Sequence, residues 1–164
     1  MMMRDWLGLA MWVALCVIAG AASGWLSRDG LANWYPHLRK PDLNPPNWLF
    51  GPIWTTLYVI MGLAAWMVWD SAPLVLTQTA LLLFGLQIAL NFFWSLVFFA
   101  WRRPGTAFID LLLIWLAIVS TQIAFATIHP LAAVLLIPYL AWVSFAGYLN
   151  GAIWRLNRAS ATAK

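Results

Sequence analysis

Five apolar runs, at residues 6–26, 50–69, 74–101, 106–128 and 131–156, constrain this chain more than any other feature, because little sequence is left between them. A hydrocarbon core ~30 Å thick is crossed by ~20 apolar residues of helix, and in lipid only a helix or a closed barrel satisfies its own backbone hydrogen bonds. With 64% apolar and 9% charged residues and a mean hydropathy of +0.82, the chain reads as an all-α integral membrane protein. The expected architecture is a single membrane domain, residues 1–164, built as a five-transmembrane-helix bundle. Arg4 before the first run and the small residues "AGAAS" near its end imitate a secretory signal. The run exceeds the ~7–15 apolar residues of such a signal, so it is expected to stay as a helix. Cys16, the single cysteine, lies within it and has no partner for an intrachain disulfide.

Five spans put the termini on opposite sides. One side carries Arg4 alone among the basic residues; the other carries Arg28, Arg39, Lys40, Arg102, Arg103, Arg155, Arg158 and Lys164. Basic residues are retained in the cytoplasm, which places the N-terminus outside and the first loop and C-terminus inside. A pI near 9.7 then reflects attraction to membrane lipid and calls for no nucleic acid.

Three connections are short: "DSAP" at 70–73, "RRPG" at 102–105 and "HP" at 129–130. They make successive helices antiparallel neighbours, and Pro73, Pro104 and Pro130 fall where a helix begins and a missing N–H costs least. The first connection, residues 27–49, is long, and a long loop is either functional or disordered. Trp34, Tyr35, Leu38, Leu43 and Trp48 supply surface that packs, while Pro36, Pro41, Pro45 and Pro46 lower the entropy cost of ordering. The loop is therefore expected to be an ordered lid.

Thirteen tryptophans dominate the composition. Trp6, Trp25, Trp69, Trp101 and Trp154 stand near span ends, where an interfacial belt accounts for them. Trp12, Trp66, Trp94, Trp115 and Trp142 lie inside spans and either fill the core or line a cavity. Polar groups in lipid face the bundle interior, so coincident stripes are informative. Gln87, Asn91, Trp94 and Phe98 form one stripe of the third span, and Trp54 and Tyr58 lie on one face of the second. In the fifth span Trp142, Ala146, Leu149 and Asn150 do the same, small Ala146 leaving room beside the indole. The amides serve equally for helix-to-helix adhesion. Asp110, the one carboxylate within a span, either pairs with Arg102 or Arg103 at the start of the fourth helix or relays protons.

Catalytic inventories are nearly empty. There is no glutamate to make a carboxylate pair, His37 and His129 fall on opposite sides of the bilayer, and no glycine-rich phosphate loop is present. No metal site and no required cofactor are expected.

The runs "KPDLNPPNWLFGPIWTTLYVIMG", "QIALNFFWSLVFF", "IDLLL" and "PYLAWVSFAGYLNGAIWRLN", in this order, resemble the TspO/MBR family of tryptophan-rich sensory proteins and translocator proteins. The resemblance implies a receptor-like homodimer that binds porphyrins, protoporphyrin IX or haem, in a cavity between helices, and a helical bundle points to a bacterial inner membrane. The resemblance also implies tetrapyrrole transport or stress-linked sensing. The implied pocket comprises Trp54, Tyr58, Asn91, Trp94, Trp142, Ala146 and Leu149 under a lid of Trp34, Pro45, Pro46 and Trp48; the stripe of the third span adds Gln87 and Phe98, and Arg39 and Lys40 of the lid supply basic groups for the ligand's acids. Departures are Leu43 and Thr106 where relatives carry tryptophan, and Gly151-Ala152 after Leu149-Asn150, which counts against sterol binding. Two other functions stay open. One is light-dependent breakdown of bound porphyrin by Trp54 and Trp142; the other is a purely structural role as a membrane partner.

Overall fold

The structure, a computed structural model, describes residues 2–161 and the side chains of residues 6–158. Lys164 lies outside the described residues, as does the side chain of Arg4. The first span belongs to α1 (Met2–Asn33) and the second to α2 (Asn47–Ser71). The third is α3 (Leu74–Ser95) prolonged by a π turn (Leu96–Ala100), and the fourth is α4 (Pro104–Ala126). The fifth is divided into α5 (Pro130–Leu135) and α6 (Ile137–Ala161). All five are long and apolar enough to cross a membrane, and the described residues contain no strand.

Helix one runs seven residues beyond the expected limit at residue 26 and α2 begins three residues before the expected residue 50, so the loop shrinks to residues 34–46. Hydropathy marks where lipid ends, whereas a helix ends where its hydrogen bonding stops. Past residue 26 α1 is held by tertiary contacts. Ser27 Oγ lies 2.8 Å from Ser95 Oγ and donates to the Ser95 carbonyl at 3.1 Å, and Asn33 donates to Asp29 one turn back at 2.7 Å. Gly30 presses on the π turn so closely that a Cβ there would lie 1.9 Å from the Phe99 carbonyl oxygen.

Prolines set the other boundaries as expected: Pro73 precedes α3, and Pro104 and Pro130 open α4 and α5. Pro138 breaks the fifth span, since its ring excludes the carbonyl four residues back and it has no N–H to donate. The π turn bonds Trp101 N–H to the Leu96 carbonyl at 2.8 Å and Arg103 N–H to that of Val97 at 3.0 Å. Arg102 closes it with φ of 56°, a left-handed conformation that costs a non-glycine residue ~1–2 kcal/mol.

α1 packs on α2 and on the third span, α3 on α4, α4 on α5 and α6, and α2 on α5. The spans therefore close a ring in the order one, two, five, four, three. α2 meets the fifth span chiefly through α5, at the end away from the loop, and touches α6 little. This divergence opens a wedge toward the loop. Lipid is as apolar as leucine, so burial alone does not press these helices together; close approach and polar contacts do. At the α1–α2 seam a Cβ on Gly62 would come within 2.6 Å of the Val13 Cα.

Candidate functional site

Beside that wedge a cavity of about 240 Å³ lies between α1, α2 and the third span. α2 presents Trp54 and Tyr58, one turn apart, with ring centroids 5.8 Å from each other. Trp94 of α3 closes the inner wall, 6.2 Å from Trp54. Its Nε1 donates to Asn150 Oδ1 at 3.1 Å, and Asn150 Nδ2 donates to the Pro104 carbonyl at 2.6 Å, which ties α3, α4 and α6 together. The indole is thus fixed by its edge.

Asn91, 2% exposed, joins three helices: its Nδ2 donates to the Tyr139 hydroxyl at 2.8 Å and its Oδ1 accepts from the Tyr58 hydroxyl at 3.5 Å. The cavity wall consequently carries an amide and a phenol among indole rings, the mostly apolar lining with few placed polar groups typical of small-molecule sites.

Of the residues expected in the pocket, Trp54, Tyr58, Asn91 and Trp94 line this cavity. Phe98, Ala146 and Leu149 instead border a second hollow of about 20 Å³, behind a wall of Phe50, Trp94 and Phe99 that both spaces share. Gln87 is buried off the cavity with its Nε2 4.0 Å from Met61 Sδ and its Oε1 unpartnered. Trp142 packs behind the lining, 5.9 Å from Phe50 and 6.4 Å from Trp54, its buried Nε1 also unpartnered. The fifth span therefore backs the cavity and does not enclose it.

What sequence reasoning missed is α1, which supplies Gly20, Ala21, Gly24 and Ser27. The small residues that imitate a signal cleavage site are the thin wall of the cavity. Their signal was present as small-residue spacing, but nothing in the sequence said which helix faces them.

The loop is ordered, by some of the residues expected, Tyr35, Trp34 and Leu38, while Leu43 and Trp48 are exposed. Tyr35, 3% exposed, is its anchor: the ring packs against Phe50, Phe98 and Phe99, and the hydroxyl donates to Asn44 Oδ1 at 2.7 Å. Burial raises the phenol above the ordinary tyrosine range against the opposing pull of Asn44. Trp34 rests edge-on against Phe98 at 5.6 Å, while Trp48 is 71% exposed, and Pro45 and Pro46 do not reach the cavity lining.

Lys40 does not face the cavity. Its Nζ donates to the carbonyls of Pro36 and Leu38, both at 3.1 Å, and lies 4.9 Å from the Tyr35 ring centroid. Burial pulls this ammonium below the usual lysine range. The backbone of Arg39 is gripped from both sides by Asn157 of α6, its N–H donating to Oδ1 at 3.1 Å and its carbonyl accepting from Nδ2 at 2.9 Å.

The expected pairing of Asp110 with Arg102 or Arg103 is corrected. Arg102 bonds Asp29 of α1 at 3.3 Å, because the left-handed turn projects it across to that helix, and Asp110 Oδ2 is buried without a partner.

Comparison of the sequence with known proteins returns relatives that match most of its length. The human translocator protein is 44% identical over 132 residues, covering 79% of this chain and 77% of its own length. The tryptophan-rich protein TspO of Chlorobaculum tepidum is 39% identical over 160 residues, 95% of this chain and 99% of its own. Protein CrtK of Rhodobacter capsulatus is 36% identical over 149 residues, 90% and 91% of the two chains. The model of the TspO/MBR family matches residues 12–155, nearly the whole five-span bundle, so the chain belongs to the TspO/MBR family.

Proposed function

We propose that this membrane protein binds tetrapyrroles, protoporphyrin IX or haem, between α1, α2 and α3, and serves their transport or a stress-linked sensing of them. The observation that carries the reading is the cavity wall, which Trp54, Trp94, Tyr58 and Asn91 line together. A flat macrocycle takes aromatic faces for its ring and hydrogen-bonding groups for its polar edge. At about 240 Å³ the space is somewhat below the ~300–1,000 Å³ of ordinary ligand sites. The hollow lined by Ala146 and Leu149 adds only about 20 Å³, so seating the macrocycle requires the shared wall of Phe50, Trp94 and Phe99 to move.

No phosphate-binding loop is available to drive flux, so ligand moves downhill or by coupling to a partner. The working form is a homodimer in a bacterial inner membrane, N-terminus outside. The test is titration of purified protein with protoporphyrin IX in darkness, following tryptophan fluorescence. Saturable quenching is expected; its absence defeats the reading.

Light-dependent breakdown of the bound ring is a second reading, favoured by the placement of Trp54 directly on the cavity. Under it, illumination destroys porphyrin more slowly in Trp54→Phe than in the parent, while Trp142→Phe, behind the lining, behaves like the parent.

A further inference from the structure

The cavity has an opening that is not under the loop. On α1 the residues Val17, Ala21, Gly24 and Arg28 follow at spacings of four, three and four, which is one helix face. Val17, Ala21 and Gly24 line the cavity, and Ala21, Gly24 and Arg28 are exposed. On α2 the corresponding edge is Thr55, Gly51 and Trp48, all exposed, the first two also lining the cavity.

A Cβ built on Gly24 or on Gly51 meets nothing within 4 Å, so open space lies on both sides. Thr55 Oγ1 donates to the Gly51 carbonyl at 2.9 Å, so this hydroxyl is satisfied within the lip. Because α1 and α2 are antiparallel, Arg28 and Trp48 stand at the loop end of opposite lips. Arg28 is one turn, about 6 Å, beyond Gly24. Its guanidinium lies 4.3 Å from the Trp25 ring centroid, while the neighbouring Asp29 carboxylate is taken by Arg102.

We propose that this gap between α1 and α2 is a side entrance from the bilayer, and that Arg28 selects amphiphiles bearing a carboxylate. A molecule dissolved in the leaflet keeps its acid at headgroup level and its rings below. Those are the levels of Arg28 and of the Gly24–Gly51 gap. The molecule slides between the lips with its acid paired to Arg28 and its rings advancing onto Trp54, and the loop stays latched by Asn157. The inference rests on the tetrapyrrole reading above and names its route and its cation.

The experiment loads protoporphyrin IX, or its dimethyl ester, into vesicles and mixes them with vesicles holding the protein, following tryptophan quenching in time. Gly24→Leu with Gly51→Leu puts bulk into the gap from positions where a Cβ meets nothing within 4 Å, and it slows association and dissociation together by roughly tenfold, within the one to three decades over which related binders vary. Loss of a mere contact would speed dissociation instead. Arg28→Gln weakens the diacid about fivefold, the ~1 kcal/mol of one basic residue near a membrane surface, leaves the diester unaffected, and is rescued by Arg28→Lys.

Wild-type protein without saturable quenching defeats the tetrapyrrole reading and this inference with it. Wild-type binding combined with unchanged rates in the double glycine variant defeats the side entrance alone. Equal losses for diacid and diester in Arg28→Gln defeat the role of the cation.

Discussion

At the scale of single residues, what matters in this bundle is whether a polar or small group has an alternative. Helix-to-helix hydrogen bonds in membranes average only ~0.6 kcal/mol, because freed groups usually find other partners. Tyr139 is fully buried and its hydroxyl meets Asn91. Asn91→Leu is therefore expected to cost nearer the ~1–3 kcal/mol of an unsatisfied buried group, read as a lower midpoint of thermal unfolding in detergent. Tyr139→Phe combined with Asn91→Leu should recover part of that loss, since the Tyr139–Asn91 pair is then apolar on both sides and only the longer bond from Tyr58 stays lost. Glycines divide by the same logic. Gly30→Ala drives a methyl into the Phe99 carbonyl and should destabilise by ~1–3 kcal/mol. Gly24→Ala points into open space and should stabilise by ~0.5–1 kcal/mol through helix propensity. Opposite signs for one chemical change would confirm that α1 touches the π turn at Gly30 and nothing at Gly24.

At the scale of elements, the third and fifth spans depart from regular helix where they meet the site. The π turn at Leu96–Ala100 sets adjacent Phe98 and Phe99 side by side, 4.8 Å apart, so that both meet Tyr35. Such turns are frequent at functional sites because they change which side chains face inward. The loop above is held by this aromatic platform and by the two hydrogen bonds from Asn157. Asn157→Ala removes the only side chain that ties the Arg39 backbone to α6 among the described residues. Amide exchange across residues 36–42 should then accelerate at least about tenfold while α3 and α4 stay protected, since a segment opens as readily as its own local interactions allow. If exchange in the loop is unchanged, the prolines and Tyr35 suffice to order it.

At the scale of the whole molecule, the ring of spans and the divergence of α2 from α6 place Trp54 on the cavity and Trp142 behind it. Under the proposed function Trp54→Phe should weaken dark binding of protoporphyrin IX by roughly tenfold, a loss of ~1.4 kcal/mol, with Trp142→Phe costing less than about threefold. Equal losses would move the site toward α6. The number of spans, their polar stripes and the proline-bounded starts of α3, α4 and α5 were legible in the sequence, because the demands of lipid on backbone hydrogen bonds and on buried amides act on each segment separately. The length of α1, the choice of Tyr35 over its tryptophan neighbours as the loop's anchor, and the partner of Arg102 were not. Each depends on which helix lies opposite, as when Ser95 and Phe99 hold α1 in helical form past the end of its apolar run. The same holds for the cavity: its aromatic and amide wall was written in α2 and α3, but its thin wall was decided by packing. A small residue makes space only where a neighbour fails to fill it, and that neighbour is fixed by the order in which the helices close the ring.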